Sequence, residues 1–167
     1  GPNSRVAVDE FPYSGKVLTH SANAIVTDSA SSGTAFSAGI KTNNRALGVD
    51  VNGNSVENIT EILDRSGFVS SVISTSEVTH ATPAAFVAHA SSRYLSDEIS
   101  IQMSNSKIKN ILGGGRKFFM TEEDGGIRED GINLIEKVKN NSKLITHKDE
   151  LKDIALYGGE QVFGLFA

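Results

Sequence analysis

The sequence contains no cysteine, no long apolar run and no basic cluster. Without cysteine, the protein has no disulfide, no thiolate metal site and no cysteine nucleophile, although this does not define its compartment. No apolar run approaches the roughly 20 residues that a membrane-spanning helix needs, so we expect no membrane span. Lysine and arginine are not interleaved with aromatic residues and the formal net charge is −4, which argues against a nucleic-acid partner.

The composition is that of one folded domain. The chain has 167 residues, of which 38% are hydrophobic, enough for a substantial core and too many for a disordered chain. The sequence shows no linker, internal repeat or low-complexity run, so we predict a single unit over residues 1–167. Residues 1–5 do not have the pattern of a signal peptide.

The spacing of apolar residues predicts helices that alternate with strands. Candidate strands cover 15–19, the residues that end at Val26-Thr27, and 68–74, 108–112, 144–145 and 161–167. Candidate helices cover 29–39, the segment from Asn54 or Ser55 to Gly67, and 83–90, 96–103, 131–140 and 149–155. This alternation indicates an α/β fold with a mainly parallel sheet.

Three consecutive glycines, Gly113–Gly115, follow the candidate strand 108–112. Such a run can bind a phosphate through its backbone N–H groups. No G-x-G-x-x-G or G-K-[ST] pattern accompanies it, so a tight turn is the better interpretation.

The stretch Val26-Thr27-Asp28-Ser29-Ala30-Ser31-Ser32-Gly33-Thr34-Ala35 joins the end of a candidate strand to the start of a helix. A hydroxyl at such a junction faces free backbone N–H groups and the positive end of the helix dipole, which suits an anion such as phosphate. Ser29 therefore has two interpretations. It is either a helix N-cap, which spacing alone favours, or a nucleophile.

This stretch resembles the active-site signature of the alkaline phosphatases at every position from Val26 to Thr34. Further stretches resemble the same family, in the family's order and with compatible gaps, so that the resemblance covers roughly residues 10–167. They are Ile73–Ala85, Ala88–Arg93, Leu112–Phe118 and Phe163–Phe166. The resemblance implies a three-layer α/β/α sandwich around a mainly parallel sheet, here as a partial catalytic domain.

The resemblance also implies roles for individual residues. Ser29 would be the nucleophile that becomes a phosphoserine during phosphate monoester hydrolysis, and Arg93 would grip two phosphate oxygens. Asp28 would orient Arg93. The family's site holds two Zn²⁺ ions and one Mg²⁺ ion; Ser29 would be a zinc ligand, Thr82 a magnesium ligand, and His80 would lie near the magnesium.

The same residues have interpretations that need no catalysis. Arg93 could be a solvated arginine at a helix end, because most arginines are exposed. Asp28 could be a helix cap, alone or in addition to orienting the arginine. Thr82, which precedes a proline, could make a local backbone hydrogen bond.

Most of the family's metal ligands match no position in this chain. Only Ser29 and Thr82 of the metal site do so, and His20, His89 and His147 match no ligand. Two neutral oxygens cannot hold two zinc ions tightly, since such sites need three or more histidine or carboxylate ligands each. We therefore expect the chain alone to be inactive or nearly so.

Three functions remain open from the sequence. The first is a segment of an alkaline phosphatase that acts on a phosphate monoester and releases inorganic phosphate; the resemblance implies a homodimer that is periplasmic or extracellular. The second is a non-catalytic α/β module that binds phosphate or a protein partner. The third is a related metal-dependent phospho- or sulfohydrolase, although the Thr-Asp-Ser signature differs from the sulfatase motif.

Overall fold

A parallel sheet organises the computed structural model of the protein, which describes residues 4–153 and 159–167. These residues contain four strands, in the order β1-β2-β4-β3, and every pairing is parallel. The strands are β1 (Ser71–Glu77), β2 (Asn110–Gly114), β3 (Lys143–Ile145) and β4 (Val162–Phe166). The α/β fold with a parallel sheet is confirmed.

Helices fill the connections between the strands. The described residues include α1 (Ser29–Ala38), α2 (Ile59–Arg65), α3 (Ala81–Ala84), α4 (Ser96–Asn105), α5 (Leu134–Asn141) and three 3₁₀ helices, Ala7–Glu10, Arg116–Phe119 and Lys148–Asp153. The 3₁₀ helix Lys148–Asp153 replaces most of the helix predicted over 149–155. Its predicted last residues, 154 and 155, lie outside the described residues. None of the described helices is long and apolar enough to cross a membrane.

Two helices differ from the predicted ones at one end, because a side-chain cap or a tertiary contact sets the boundary there. Helix α2 begins after Asn58, not at Asn54 or Ser55, since the Asn58 side chain accepts from the N–H groups of Thr60 and Glu61 and so caps the helix. Helix α3 ends at Ala84 and does not reach Ala90. The backbone of Ala90 instead pairs with Leu47 in an antiparallel bridge.

The strands predicted at 15–19 and before Ser29 do not form. Both segments lie outside the four strands of the described sheet, and their apolar side chains face solvent: Val17 is 80% exposed and Val26 is 79% exposed. A strand needs a neighbour to exchange backbone hydrogen bonds with. Because none of the described strands pairs with these segments, their apolar and β-branched residues alone do not make them strands.

The core is formed by side chains of the sheet together with side chains of α1, α3, α4 and α5. Strand residues Ile111, Phe163 and Leu165 are fully or almost fully buried, and Met103 of α4 is buried in the same core. Gly113 has no room for a side chain, because a Cβ there would lie 2.9 Å from the carbonyl oxygen of Ser76. The prediction that all three glycines form a tight turn is wrong, because Gly113 and Gly114 continue β2 and only Gly115 (φ 93°) leaves the strand, directly before the 3₁₀ helix Arg116–Phe119.

Arg128 is the largest fully buried side chain. Its guanidinium donates to the Asp130 carboxylate, to the Ser100 hydroxyl and, over 3.1 Å, to the carbonyl of Phe118. Hydrogen bonds from Arg128 and from the N–H of Ile132 hold the pKa of Asp130 below its ordinary value. The buried charge therefore ties α4 to the segment between β2 and α5.

We expect Arg128→Ala to lower the free energy of unfolding by about 3 kcal/mol, because it leaves the buried partners of the guanidinium without a donor and opens a cavity. Urea denaturation followed by circular dichroism measures this change. Arg65→Ala is the control, since Arg65 is largely exposed and its loss should change stability by no more than about 0.5 kcal/mol. Equal effects of the two substitutions would contradict the structural role of Arg128.

Candidate active site

Helix α1 presents its N-terminus to the candidate site, and Asp28 caps it. The Asp28 carboxylate accepts from the N–H of Ser31 over 2.9 Å and from the Ser31 hydroxyl over 2.9 Å. Ser29 is the first residue of the helix, so its hydroxyl is not the cap. The interpretation of Ser29 as an N-cap, which spacing alone favoured, is wrong, and its hydroxyl is left for another partner.

That partner is Arg93, which comes from the turn before α4. One guanidinium nitrogen, Nη1, donates to Ser29 Oγ over 2.6 Å and lies 3.6 Å from the Asp28 carboxylate. The other, Nη2, donates to His80 Nε2 over 2.9 Å; because a guanidinium has no acceptor, His80 Nε2 accepts this bond. The Arg93 side chain is only 17% exposed, so Arg93 is held at the site and is not a freely solvated arginine.

Asp28 is a negative charge fixed beside this arginine. Partial burial raises the pKa of Asp28, but hydrogen bonds from the N–H groups of Ser31 and Arg45, the Ser31 hydroxyl and the charge of Arg93 together outweigh it. The pKa of Asp28 therefore lies below its ordinary value, and the group is ionised at neutral pH. An ionised Asp28 therefore lies 3.6 Å from the Arg93 guanidinium while it also caps α1.

Two further residues support the site, and the sequence did not single them out. Asn44 accepts the N–H of Asp28 over 3.1 Å through its Oδ1 and donates to the carbonyl of Val26 over 3.0 Å. Arg45 donates its backbone N–H to Asp28 Oδ2 over 3.1 Å. The only sequence signal was the turn chemistry around Thr42-Asn43-Asn44, which indicates a loop but not what the loop holds.

Close packing of α1 against α3 brings a second element to the site. A Cβ at Gly33 would lie 2.8 Å from the Cβ of Ala85, so only glycine allows this approach. The close approach of α1 at Gly33 is therefore to the α3 region. His80 and Thr82 lie at the start of α3.

The described residues do not form a metal centre. No group of three or more His, Cys, Asp or Glu side chains in the described ranges could hold a metal ion. Thr82 is exposed, and its hydroxyl makes no hydrogen bond to any other described residue, so it does not make the local bond considered above. His89 already contacts the Gly48 carbonyl over 2.7 Å and Glu61 over 3.0 Å. These donors do not fit two zinc ions.

A cavity of about 700 Å³ opens beside the site, at the carboxyl ends of β1 and β2. His80 lines it together with Glu77, Gly115 and Lys117, and Lys117 Nζ lies 2.9 Å from Glu77 Oε1. Ligands of open α/β sheets bind at this edge of the sheet. His80 lines the cavity and also accepts the hydrogen bond from Arg93 Nη2, so the cavity lies next to the Ser29–Arg93 pair.

Comparison with known proteins gives consistent similarities along the whole chain. A family model described as Alkaline phosphatase matches residues 1–167. Alkaline phosphatase 4 of Bacillus subtilis is 36% identical over 99% of this chain and 35% of its own length. The tissue-nonspecific alkaline phosphatase isozyme of Felis catus is 31% identical over 99% of this chain and 40% of its own length.

Solved structures give the same result. The alkaline phosphatase from the Antarctic bacterium TAB5 has a TM-score of 0.79 and 36% identity, over 90% of this chain and 42% of that structure. A histidine-to-aspartate variant of that enzyme has Mg bound. The Thermus thermophilus alkaline phosphatase has a TM-score of 0.77 and 29% identity, over 90% of this chain and 31% of that structure. The chain thus spans well under half the length of these proteins.

We expect Asp28→Ala to lower the free energy of unfolding by about 1 kcal/mol, because it removes the cap of α1. Ser29→Ala should change stability by less than about 0.5 kcal/mol, since Ser29 caps nothing. Urea denaturation of the two variants beside the unsubstituted chain measures both effects. A larger loss in Ser29→Ala than in Asp28→Ala would show that the cap has been assigned to the wrong residue.

Proposed function

Because the chain belongs to the alkaline phosphatase family, we propose that it forms the part of a phosphate monoesterase that carries the nucleophile and the phosphate clamp. Ser29 is the nucleophile, and the phosphate clamp consists of Arg93, Asp28 and His80. The observation that carries this proposal is the 2.6 Å hydrogen bond from Arg93 Nη1 to Ser29 Oγ. This bond places the guanidinium donors of Arg93 and the Ser29 hydroxyl together at the N-terminus of α1, where a phosphate is stabilised.

The phosphoryl group binds before any chemistry. Its oxygens accept from the Arg93 guanidinium, whose planar fork matches two phosphate oxygens, and from free N–H groups at the start of α1. In this arrangement the bound phosphate takes over donors that now contact Ser29 and His80. Asp28 keeps the guanidinium in place through its charge, 3.6 Å away.

In the transfer step Ser29 Oγ attacks phosphorus as the bond from phosphorus to the leaving oxygen breaks, and a phosphoserine results. Water then cleaves the phosphoserine and releases inorganic phosphate. Arg93 stabilises the charge on the transferred group in both steps but cannot take the serine proton, because a guanidinium only donates. No other described side chain hydrogen-bonds to Ser29 Oγ, so the described residues supply no acceptor for the serine proton, which in the balanced reaction ends on the leaving oxygen.

The family implies two zinc ions and one magnesium ion at this site, and we propose Ser29 and Thr82 as the positions where this chain would contact them. Metal ions would activate the serine and stabilise the leaving oxygen. The described residues do not supply the remaining ligands, so the steps assigned to this chain are phosphate binding and nucleophile positioning. The family also supports, as proposals, a homodimer and a periplasmic or extracellular location.

A non-catalytic phosphate-binding module is the second candidate. Two observations favour it: Arg93 donates a hydrogen bond to Ser29, and the described residues contain no group of three metal-binding side chains. Metal-dependent turnover that Ser29→Ala abolishes would favour the phosphate monoesterase over this module.

We expect the purified chain, supplied with Zn²⁺ and Mg²⁺ at alkaline pH, to hydrolyse a chromogenic phosphate monoester no faster than its Ser29→Ala variant. The reason is that the described residues contain a nucleophile but no metal ligand set. A chelated sample serves as the control. Metal-dependent turnover that Ser29→Ala abolishes would contradict this expectation and would show that the metal site is completed in this molecule.

We expect inorganic phosphate to bind the chain and Arg93→Ala to weaken that binding about tenfold or more, since a charge-assisted, bidentate contact is lost. Isothermal titration calorimetry, in the presence of a chelator, measures the affinity. Arg65→Ala removes the same charge from α2, where Arg65 is paired with Glu57, and should leave the affinity within about twofold. If the two substitutions weaken binding equally, Arg93 is not the phosphate clamp.

A further inference from the structure

Arg45 lies beside the phosphate clamp and has no role in the proposed chemistry. We infer that Arg45 is a second anion-binding residue, which favours phosphate esters whose leaving group carries a negative charge of its own. This inference rests on the proposed function, because it requires a phosphate at Ser29 and Arg93. It adds a specificity determinant to the site and a class of substrate.

The backbone of Arg45 is built into the clamp. Its N–H donates to Asp28 Oδ2 over 3.1 Å, and its carbonyl accepts the backbone N–H of Arg93 over 2.7 Å. Its side chain therefore starts from a point fixed by the two residues that hold the phosphate.

The backbone conformation of Arg45 is unusual for its side chain. Its φ is 77°, and it is the only non-glycine residue with a positive φ in the described part of the chain. Glycine or asparagine adopts this conformation more readily. A bulky charged residue at such a position indicates that the side chain itself is used.

The guanidinium of Arg45 carries an uncompensated charge. It forms no ion pair or hydrogen bond with other described residues, and its contact is with the Tyr94 ring, whose centroid lies 5.8 Å from Arg45 Cζ. Arg93 Cζ lies 6.0 Å from the same centroid. The two guanidinium carbons are therefore no further apart than the sum of these two distances, and the Tyr94 ring contacts both groups.

This pair of cations defines the ligand. Arg93 is partly neutralised by Asp28, whereas Arg45 is not, so an anion that spans both sites gains a contact that inorganic phosphate alone does not make. The chain as a whole has a net charge of −4, which makes a local excess of positive charge at this rim distinctive. Fitting ligands carry a second phosphate or carboxylate within a few bonds of the first phosphorus.

The test compares inorganic phosphate with inorganic diphosphate on the metal-free chain by isothermal titration calorimetry at low ionic strength, where the charge contribution is least screened. The informative variant is Arg45→Asn, because asparagine tolerates a positive φ. We expect it to weaken diphosphate binding about five- to tenfold while phosphate binding changes less than about twofold. Arg45→Lys should keep most of the preference, and Arg65→Asn, which removes an equal charge elsewhere, should keep all of it.

An unchanged ratio of the two affinities in Arg45→Asn would overturn this inference. The proposed function would stand if Arg93→Ala still weakens the binding of both anions. If Arg93→Ala binds both anions as well as the unsubstituted chain, or if the unsubstituted chain binds neither, both the proposed function and the inference fail. Arg45→Gly, whose backbone suits the same φ, replaces Arg45→Asn if the latter does not unfold cooperatively.

Discussion

The guanidinium of Arg93 joins parts of the chain that are distant in sequence. It reaches Ser29 at the start of α1, Asp28 just before it, and His80 between β1 and α3. None of these segments is a strand, and the site is therefore assembled from helix starts and turns above a rigid sheet. A single planar group with several donors can hold such an arrangement because each of its nitrogens has a fixed direction.

The surroundings keep that group in its place. Asp28 is fixed by the N–H groups of Ser31 and Arg45, and Asn44 holds the turn that precedes α1. Gly33 lets α1 approach the α3 region closely, and His80 lies directly before α3. These contacts hold the side chains of the proposed clamp in one arrangement, which limits the conformational freedom that anion binding would remove.

The sequence predicted the elements with strong local signals and the site residues that a family motif marks. Helix α4 and the strand after it follow from apolar spacing, and Asp28, Ser29, His80 and Arg93 from the resemblance. Asn44 and Arg45 were not predicted as site residues, because the partners of a turn residue depend on how distant segments pack. The absent strand before Ser29 had the right residues, but strand formation depends on a neighbour that local sequence cannot supply.

The sheet order has a consequence for how the protein is made. Strand β4 comes last of the four described strands, yet it lies between β2 and β3 and is the only described partner of β3. During synthesis β3 leaves the ribosome before β4, so it has no described strand to pair with until β4 has emerged. Long-range parallel pairing of this kind forms slowly and leaves strand edges open meanwhile. Between the emergence of β3 and that of β4, β3 and one edge of β2 are therefore unpaired, and open strand edges favour aggregation.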